Sequence, residues 1–271
     1  MNKQTETLQP TFFIPHGGGP CFFMEWEPHD EWDKTAAFLK SIPSQLPRKP
    51  SAILLVSSHW EENEFTILGK DHPGLLFDYH GFPEHTYQLD YPVENPKWLV
   101  SRILELAQNT GQSIKKDTNR DYDHGVFIPL KVAFPEADIP VAQLSLKANL
   151  NPADHFKIGK MLTPLRAENV LIIGSGMSYH NMRVLMSRGR SENLSGEFNE
   201  WLVRSITDLP HSERQTALTD WEKAPGARNA HPREEHLISL MVAAGAAGDS
   251  VGQHVFEDIV MGSTISAFRF G

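Results

Sequence analysis

Four short apolar runs, at 11–15, 52–56, 141–146 and 170–173, set the tightest limit on what this chain can fold into. Each is bounded by Pro, Gly, Ser or charged residues, and each reads as a mostly buried strand. Between them lie segments with helical spacing at 30–42 and 96–108. A third is opened by Asn151-Pro152, where Asn can cap and Pro can take the first helical position. Two later helices are expected at 195–207 and 233–247, the second with Leu237, Leu240, Met241 and Ala244 on one apolar face, and an alternating strand closes the chain at 263–270. The alternation predicts an α/β fold, a mixed sheet flanked by helices. No repeat, low-complexity block or long linker interrupts it, so residues 1–271 are expected to form one domain, with loops at 69–83 and 224–232.

Composition narrows the partners. At 271 residues, 40% of them hydrophobic, the chain can bury a continuous core without disulfides. Its single cysteine, Cys21, fits a reducing compartment, so the cytoplasm is the expected location. The net charge of −9 repels phosphate backbones and anionic membrane surfaces, and no Lys/Arg run offsets it. The first ten residues, MNKQTETLQP, hold no apolar stretch for a signal segment, and no apolar run approaches the ~20 residues that span a bilayer. Neither nucleic acid nor membrane is expected as a partner, and association into a homo-oligomer is left open.

Histidine stands out instead, with 13 in the chain, several beside Gly, Ser or Pro where strands should end. Phe13-Ile14-Pro15-His16-Gly17-Gly18-Gly19-Pro20 puts His16 at a strand tip before three glycines that allow close backbone approach, and Ser57-Ser58-His59-Trp60 puts His59 just beyond a second apolar run. Gly174-Ser175-Gly176 leads from a third strand to His180. His236 falls in His231-Pro232-Arg233-Glu234-Glu235-His236 at a helix start, and His124 stands between Asp123 and Gly125. Ligands gather at the carboxyl ends of strands in open α/β sheets, so histidines delivered there from separate strands can converge on one ion. A lone histidine more often caps, hydrogen-bonds or faces solvent, the role expected of His29, His72, His155, His211 and His254.

The ordered set PHGGGP, SSHW, DHGVFIPL, GSGMSYHN and HPREEHL, spread from residue 15 to residue 237, resembles the class III extradiol ring-cleavage dioxygenases (LigB-like). Within them it is most similar to the 4,5-DOPA extradiol dioxygenase group. The resemblance implies a mixed α/β fold with a single metal site that uses O2 to cleave a catechol-type ring. It places His16, His59 and His236 on metal-ligand motifs, His180 on a position serving as a further ligand or as acid/base, and His124 on a pocket histidine. Other class III enzymes use two histidines and a glutamate, so Glu235 stays a rival or neighbour to His236. The chain departs from the pattern at Arg233-Glu234, where a Thr/Pro-like pair is expected, and at Ser178-Tyr179, where an aliphatic residue is usual.

The chemistry follows from the metal implied. Fe(II) held by three or four protein ligands keeps positions for a catecholate and O2 together, while a nearby neutral histidine moves the phenolic proton. His180 is the first choice for that proton and His124 the second. Zn(II) in the same site would lack the redox step, which leaves a zinc-dependent hydrolase, with His180 or Glu235 as base, and a non-enzymatic metal-binding protein as alternatives. Weaker readings are a dinucleotide loop at Gly174-Ser175-Gly176, which lacks the third glycine, a Cys21 nucleophile, and an aromatic pocket from Trp26, Trp60, Phe127 and Phe134.

Overall fold

The computed structural model describes residues 7–188 and 194–271; residues 1–6, part of the polar start read above, lie outside them. In chain order the elements are β1 (Thr11–Pro15), α1 (Asp33–Ser41), β2 (Ala52–Glu62), β3 (Thr66–Leu68), α2 (Lys97–Thr110), β4 (Lys115–Asp117), α3 (His124–Ala133), β5 (Val141–Lys147) and α4 (Pro152–Leu162). They continue as β6 (Val170–Gly176), α5 (Met182–Met186), α6 (Ser195–Thr207), α7 (His211–Thr219), α8 (Ala227–Ala230), α9 (Glu235–Ala246), β7 (Gly252–Val260) and β8 (Ser263–Phe270). The strands form one mixed sheet in the order β4-β3-β5-β2-β6-β1-β8-β7, whose centre, β5-β2-β6-β1, is parallel.

Period-two alternation sorts the strand residues onto two cores. Phe13, Leu54, Val56, Leu144 and Ile172 pack with α2, α4, α6 and α9 on one side, whereas Phe12, Ile14, Ile53, Leu55 and Ile173 pack with α1 and α3 on the other. Both faces of the central strands are covered, which is why those strands read as continuous apolar runs.

Helix α9 is buried along its whole length apart from Glu235, and small residues make that possible. A Cβ on Gly174 would collide with the Ser239 carbonyl, and one on Gly176 with the His236 carbonyl. On the opposite side, glycines at 159 and 245 let α4 and α9 cross backbone to backbone. The Gly-Ser-Gly run is therefore strand, not a dinucleotide loop, and its glycines seat the first turns of α9 on β6.

Elsewhere the sequence reading needs correction in particular places. Strand β2 runs through Ser57-Ser58-His59-Trp60 to Glu62, with a register shift between Val56 and Glu61, so His59 lies within a strand rather than after one. The first helix starts at Asp33 rather than at residue 30, and α9 starts at Glu235 rather than at residue 233. The short strands β3 and β4, the edge strand β7 and the helices α3 and α7 were not anticipated, and α8 interrupts the loop expected at 224–232. Asn151 caps α4 as expected, its side chain accepting from the Asp154 N–H at 3.2 Å.

His155 meets the hydrogen-bonding role expected of it, but fully buried. It accepts the Lys147 N–H at Nε2 (3.1 Å) and donates from Nδ1 to the Asn151 carbonyl (2.7 Å), tying β5 to α4.

Two outcomes are expected. Gly174→Ala should lower stability by about 1–3 kcal/mol in urea denaturation, since helix and strand must part to admit one methyl group. Burial lowers the His155 pKa to about 4, so unfolding takes up a proton between that value and the unfolded value of about 6.5. Stability should accordingly fall as pH drops through this window, and His155→Gln should flatten the fall by up to about 1.4 kcal/mol per pH unit. Urea midpoints of both chains from pH 7 to pH 4 check this, and parallel curves would contradict it.

Candidate metal centre

His16 follows the last residue of β1, and its N–H donates to the Gly176 carbonyl at 3.1 Å, extending the β1–β6 ladder by one step. The chain then turns through Gly17 (φ +89°) and Gly19 (φ +56°), conformations that other residues rarely adopt. His16 Nδ1 lies 2.8 Å from the Gly17 carbonyl, which can only accept, so the proton sits on Nδ1 and the lone pair on Nε2. That Nε2 faces Ser58 Oγ at 3.3 Å and His59 Nε2 at 3.2 Å.

His59 reaches the same point from β2. His236, the second residue of α9, arrives from the other core layer, and its Nδ1 lies 2.9 Å from Glu235 Oε1. A carboxylate accepts, so the His236 proton also sits on Nδ1, and its Nε2 is left buried without a hydrogen-bond partner. Nitrogens of His16, His59 and His236 all lie within 4.8 Å of one another. Burial first, and then the neighbouring histidines, hold all three well below the usual histidine range, so each is a neutral donor at neutral pH. Unpartnered lone pairs in a dry cluster disfavour one another, and a divalent ion relieves that disfavour; metal–nitrogen bonds of about 2.1 Å put neighbouring ligands ~3.2–3.4 Å apart, matching the His16–His59 separation. The residues present fit one metal ion.

Two further histidines flank this trio. His180 stacks on His236, with ring centroids 3.4 Å apart and planes 14° from parallel. Its in-plane lone pair thus runs alongside that of His236 instead of converging with it. Burial, and then the charge of His124, lower its pKa to about 4. His124, the first residue of α3, lies over His59 at 3.9 Å, and its Nδ1 is 2.7 Å from Asp78 Oδ1. Although burial opposes it, the hydrogen bonds and charge of His124 hold Asp78 below the usual carboxylate range. Asp123, next in sequence, is buried and turned away, accepting from Ser57 Oγ (2.6 Å), Gln143 Nε2 (2.5 Å) and Arg120 (3.2 Å).

The structure thus brings together all five histidines singled out in the sequence, with Glu235 beside His236. His231, from the same motif as His236, stands apart: it is buried, its Nε2 lies 2.9 Å from the Ser178 carbonyl, and with the His180 N–H bonded to the Ala230 carbonyl (3.0 Å) it fixes the loop that carries His180. Asp78 was missed, and nothing in its spacing pointed to it, since it lies in an irregular stretch that only the fold brings to His124. Cys21 packs in the core and burial pushes its thiol up, which makes it a poor nucleophile. Trp60, Phe127 and Phe134 are core residues and Trp26 packs on Trp32, so they do not form a pocket at the histidines. Tyr179 is buried and donates to Asn229, while Arg233 pairs with Glu61 at 2.5 and 2.6 Å.

The family described as the catalytic LigB subunit of aromatic ring-opening dioxygenase matches residues 10–269. A "4,5-DOPA dioxygenase extradiol" of Beta vulgaris is 36% identical over 90% of this chain and 89% of the relative, and one of Escherichia coli K12 is 30% identical over 89% and 86%. "Dioxygenase tasH" of Hapsidospora irregularis is 33% identical over 97% of this chain and 86% of its own length. Among solved structures, an uncharacterized protein from Escherichia coli K12 superposes with a TM-score of 0.76 at 26% identity, covering 97% of this chain and all of that one. The chain belongs to the LigB family of metal-dependent, aromatic ring-opening dioxygenases.

Proposed function

We propose that His16, His59 and His236 hold one divalent metal ion per chain through their Nε2 atoms, Fe(II) for ring cleavage and Zn(II) as the ion retained on isolation. The observation that carries this reading is the buried, unpartnered Nε2 of His236 beside the His16–His59 pair. Glu235 is spoken for by His236 Nδ1, which favours His236 over Glu235 as the ligand. The near-parallel stack of His180 on His236 favours His180 as an acid/base group over a fourth ligand.

The substrate is a catechol-type ring, opened beside its paired hydroxyls with both atoms of O2 entering the product. Fe(II) supplies the site where substrate and O2 meet and the one-electron chemistry that O2 requires. The protein's own groups handle protons and orientation. His124 has its Nδ1 proton engaged by Asp78, so Nε2 is the atom that can take a proton from a hydroxyl. His180 is kept neutral by burial and is the first candidate to accept the phenolic proton and return it later. The catalytic domain spans residues 1–271 and works in the cytoplasm, a reading supported by the acidic charge and the lone buried thiol. Among the described residues no helix is long and apolar enough to cross a membrane.

Anaerobic reconstitution with Fe(II), followed by exposure to O2 with a panel of catechols including DOPA, should give oxygen uptake coupled to a yellow ring-fission product. Silence across the panel, or hydrolysis by a zinc form without oxygen, would overturn the substrate assignment. His16→Ala, His59→Ala and His236→Ala should each lose bound metal and activity together. His124→Ala and His180→Ala should keep the metal while kcat falls by about 10²- to 10⁴-fold. Metal analysis beside steady-state rates separates the two groups, and normal metal content in any of the first three would refute the ligand set.

A further inference from the structure

Two carboxylates each lie between one of the three converging histidines and a histidine outside the trio. Asp78 Oδ1 lies 2.7 Å from His124 Nδ1 and 3.1 Å from the His124 N–H, while Oδ2 faces His59 Nδ1 at 4.0 Å. Glu235 Oε1 lies 2.9 Å from His236 Nδ1 and 3.8 Å from His180 Nδ1. Each outer ring also lies close to an inner one, His124 tilted by 43° on His59 at 3.9 Å and His180 stacked on His236 at 3.4 Å. From unrelated stretches of chain the same three groups therefore gather twice: an inner histidine, an outer histidine beside it, and a carboxylate that hydrogen-bonds the Nδ1 of one of them, His124 in the first case and His236 in the second.

We infer that Asp78 and Glu235 are positioning residues, Asp78 setting the Nδ1–H tautomer of the outer His124 and Glu235 that of the metal-facing His236. The inference rests on the metal-dependent reading of the site given above. A neutral imidazole has a single N–H, and a carboxylate can only accept, so each acid draws to Nδ1 the proton of the ring it bonds and leaves Nε2 bare on His124 and His236. A bare Nε2 is what metal binding needs from His236 and what proton acceptance needs from His124. Both carboxylates are themselves anchored. Asp78 is fixed by its two bonds from His124, and Glu235 Oε2 lies 3.3 Å from Arg233, which Glu61 grips through both oxygens. Arg233, the departure from the expected Thr/Pro-like pair, thus belongs to the anchoring of the site.

The test uses the full chain labelled with 15N-histidine, metal-free and then loaded with diamagnetic Zn(II), with two-bond 1H–15N correlations to read each tautomer. In the metal-free chain His124 and His236 should carry their proton on Nδ1. There Asp78→Ala should shift His124 alone towards the Nε2–H form, and Glu235→Ala should shift His236 alone. Asp78→Asn, which retains an acceptor oxygen and nearly the same shape, should restore the His124 tautomer and guards against a mere folding defect. With Fe(II) and a catechol, Asp78→Ala should lower kcat about 10- to 100-fold with KM within about twofold. A His124 that stays Nδ1–H in Asp78→Ala, a His236 that stays Nδ1–H in metal-free Glu235→Ala, or both histidines shifting in either variant, would overturn the inference. A wild-type chain that opens no ring would count against the proposed function only, because the tautomers are read without turnover.

Discussion

Everything at the metal centre depends on how closely α9 can approach β6. Backbone lies on backbone there, because Gly174 and Gly176 offer no Cβ where the carbonyls of Ser239 and His236 press in. The Met177 N–H donates to the His236 carbonyl at 3.1 Å, so the strand end and the helix start share a hydrogen bond as well as a contact surface. A larger separation would leave the His236 ring short of the histidines on β1 and β2. The packing of a wholly buried helix and the geometry of the site are one constraint.

That packing also sets the electrostatics. Removing His16, His59, His180 and His236 from water favours their neutral form, and the Nδ1 protons of His16, His124 and His236 already point at a carbonyl or a carboxylate. The lone pairs so exposed are an expense unless something electrophilic meets them. Regions of a fold that break the rule of satisfied buried polar atoms are often where function lies, and the bare Nε2 of His236 is such a place.

Much of this was legible before any coordinates. β1, β5, β6 and β8 announced themselves as apolar or alternating runs, because their side chains face dense cores. Strand β2 hid its second half behind polar letters: Ser57, Ser58 and His59 turn their side chains to Asp123, Ser175 and His16 rather than to aliphatic neighbours. Helix α3 was concealed by Pro129 and by being apolar all round, which erases the 3.6-residue signal. The edge strand β7 mixes charged and apolar residues, and β3 and β4 have three residues each, too few for any period. Five histidines could be read because each sits in a dense local motif, His16, His59 and His124 directly beside a glycine, serine or proline. Asp78 could not, since its meaning comes from a partner 46 residues away.

The three inner histidines come from residues 16, 59 and 236, so the centre gathers the beginning, the early middle and the far part of the chain. On a ribosome the first two donors would emerge long before α9 existed, and β1 and β2 would come together only when β6 lay between them. An ion held by the nascent chain would then have at most two of its histidines, a weak and exchangeable grip. Firm capture waits for α9 to slide onto β6, and loading becomes a signal that the parallel centre of the sheet has been assembled. A metal-dependent enzyme built in this way keeps its ion loosely held until the site that must govern it has been assembled.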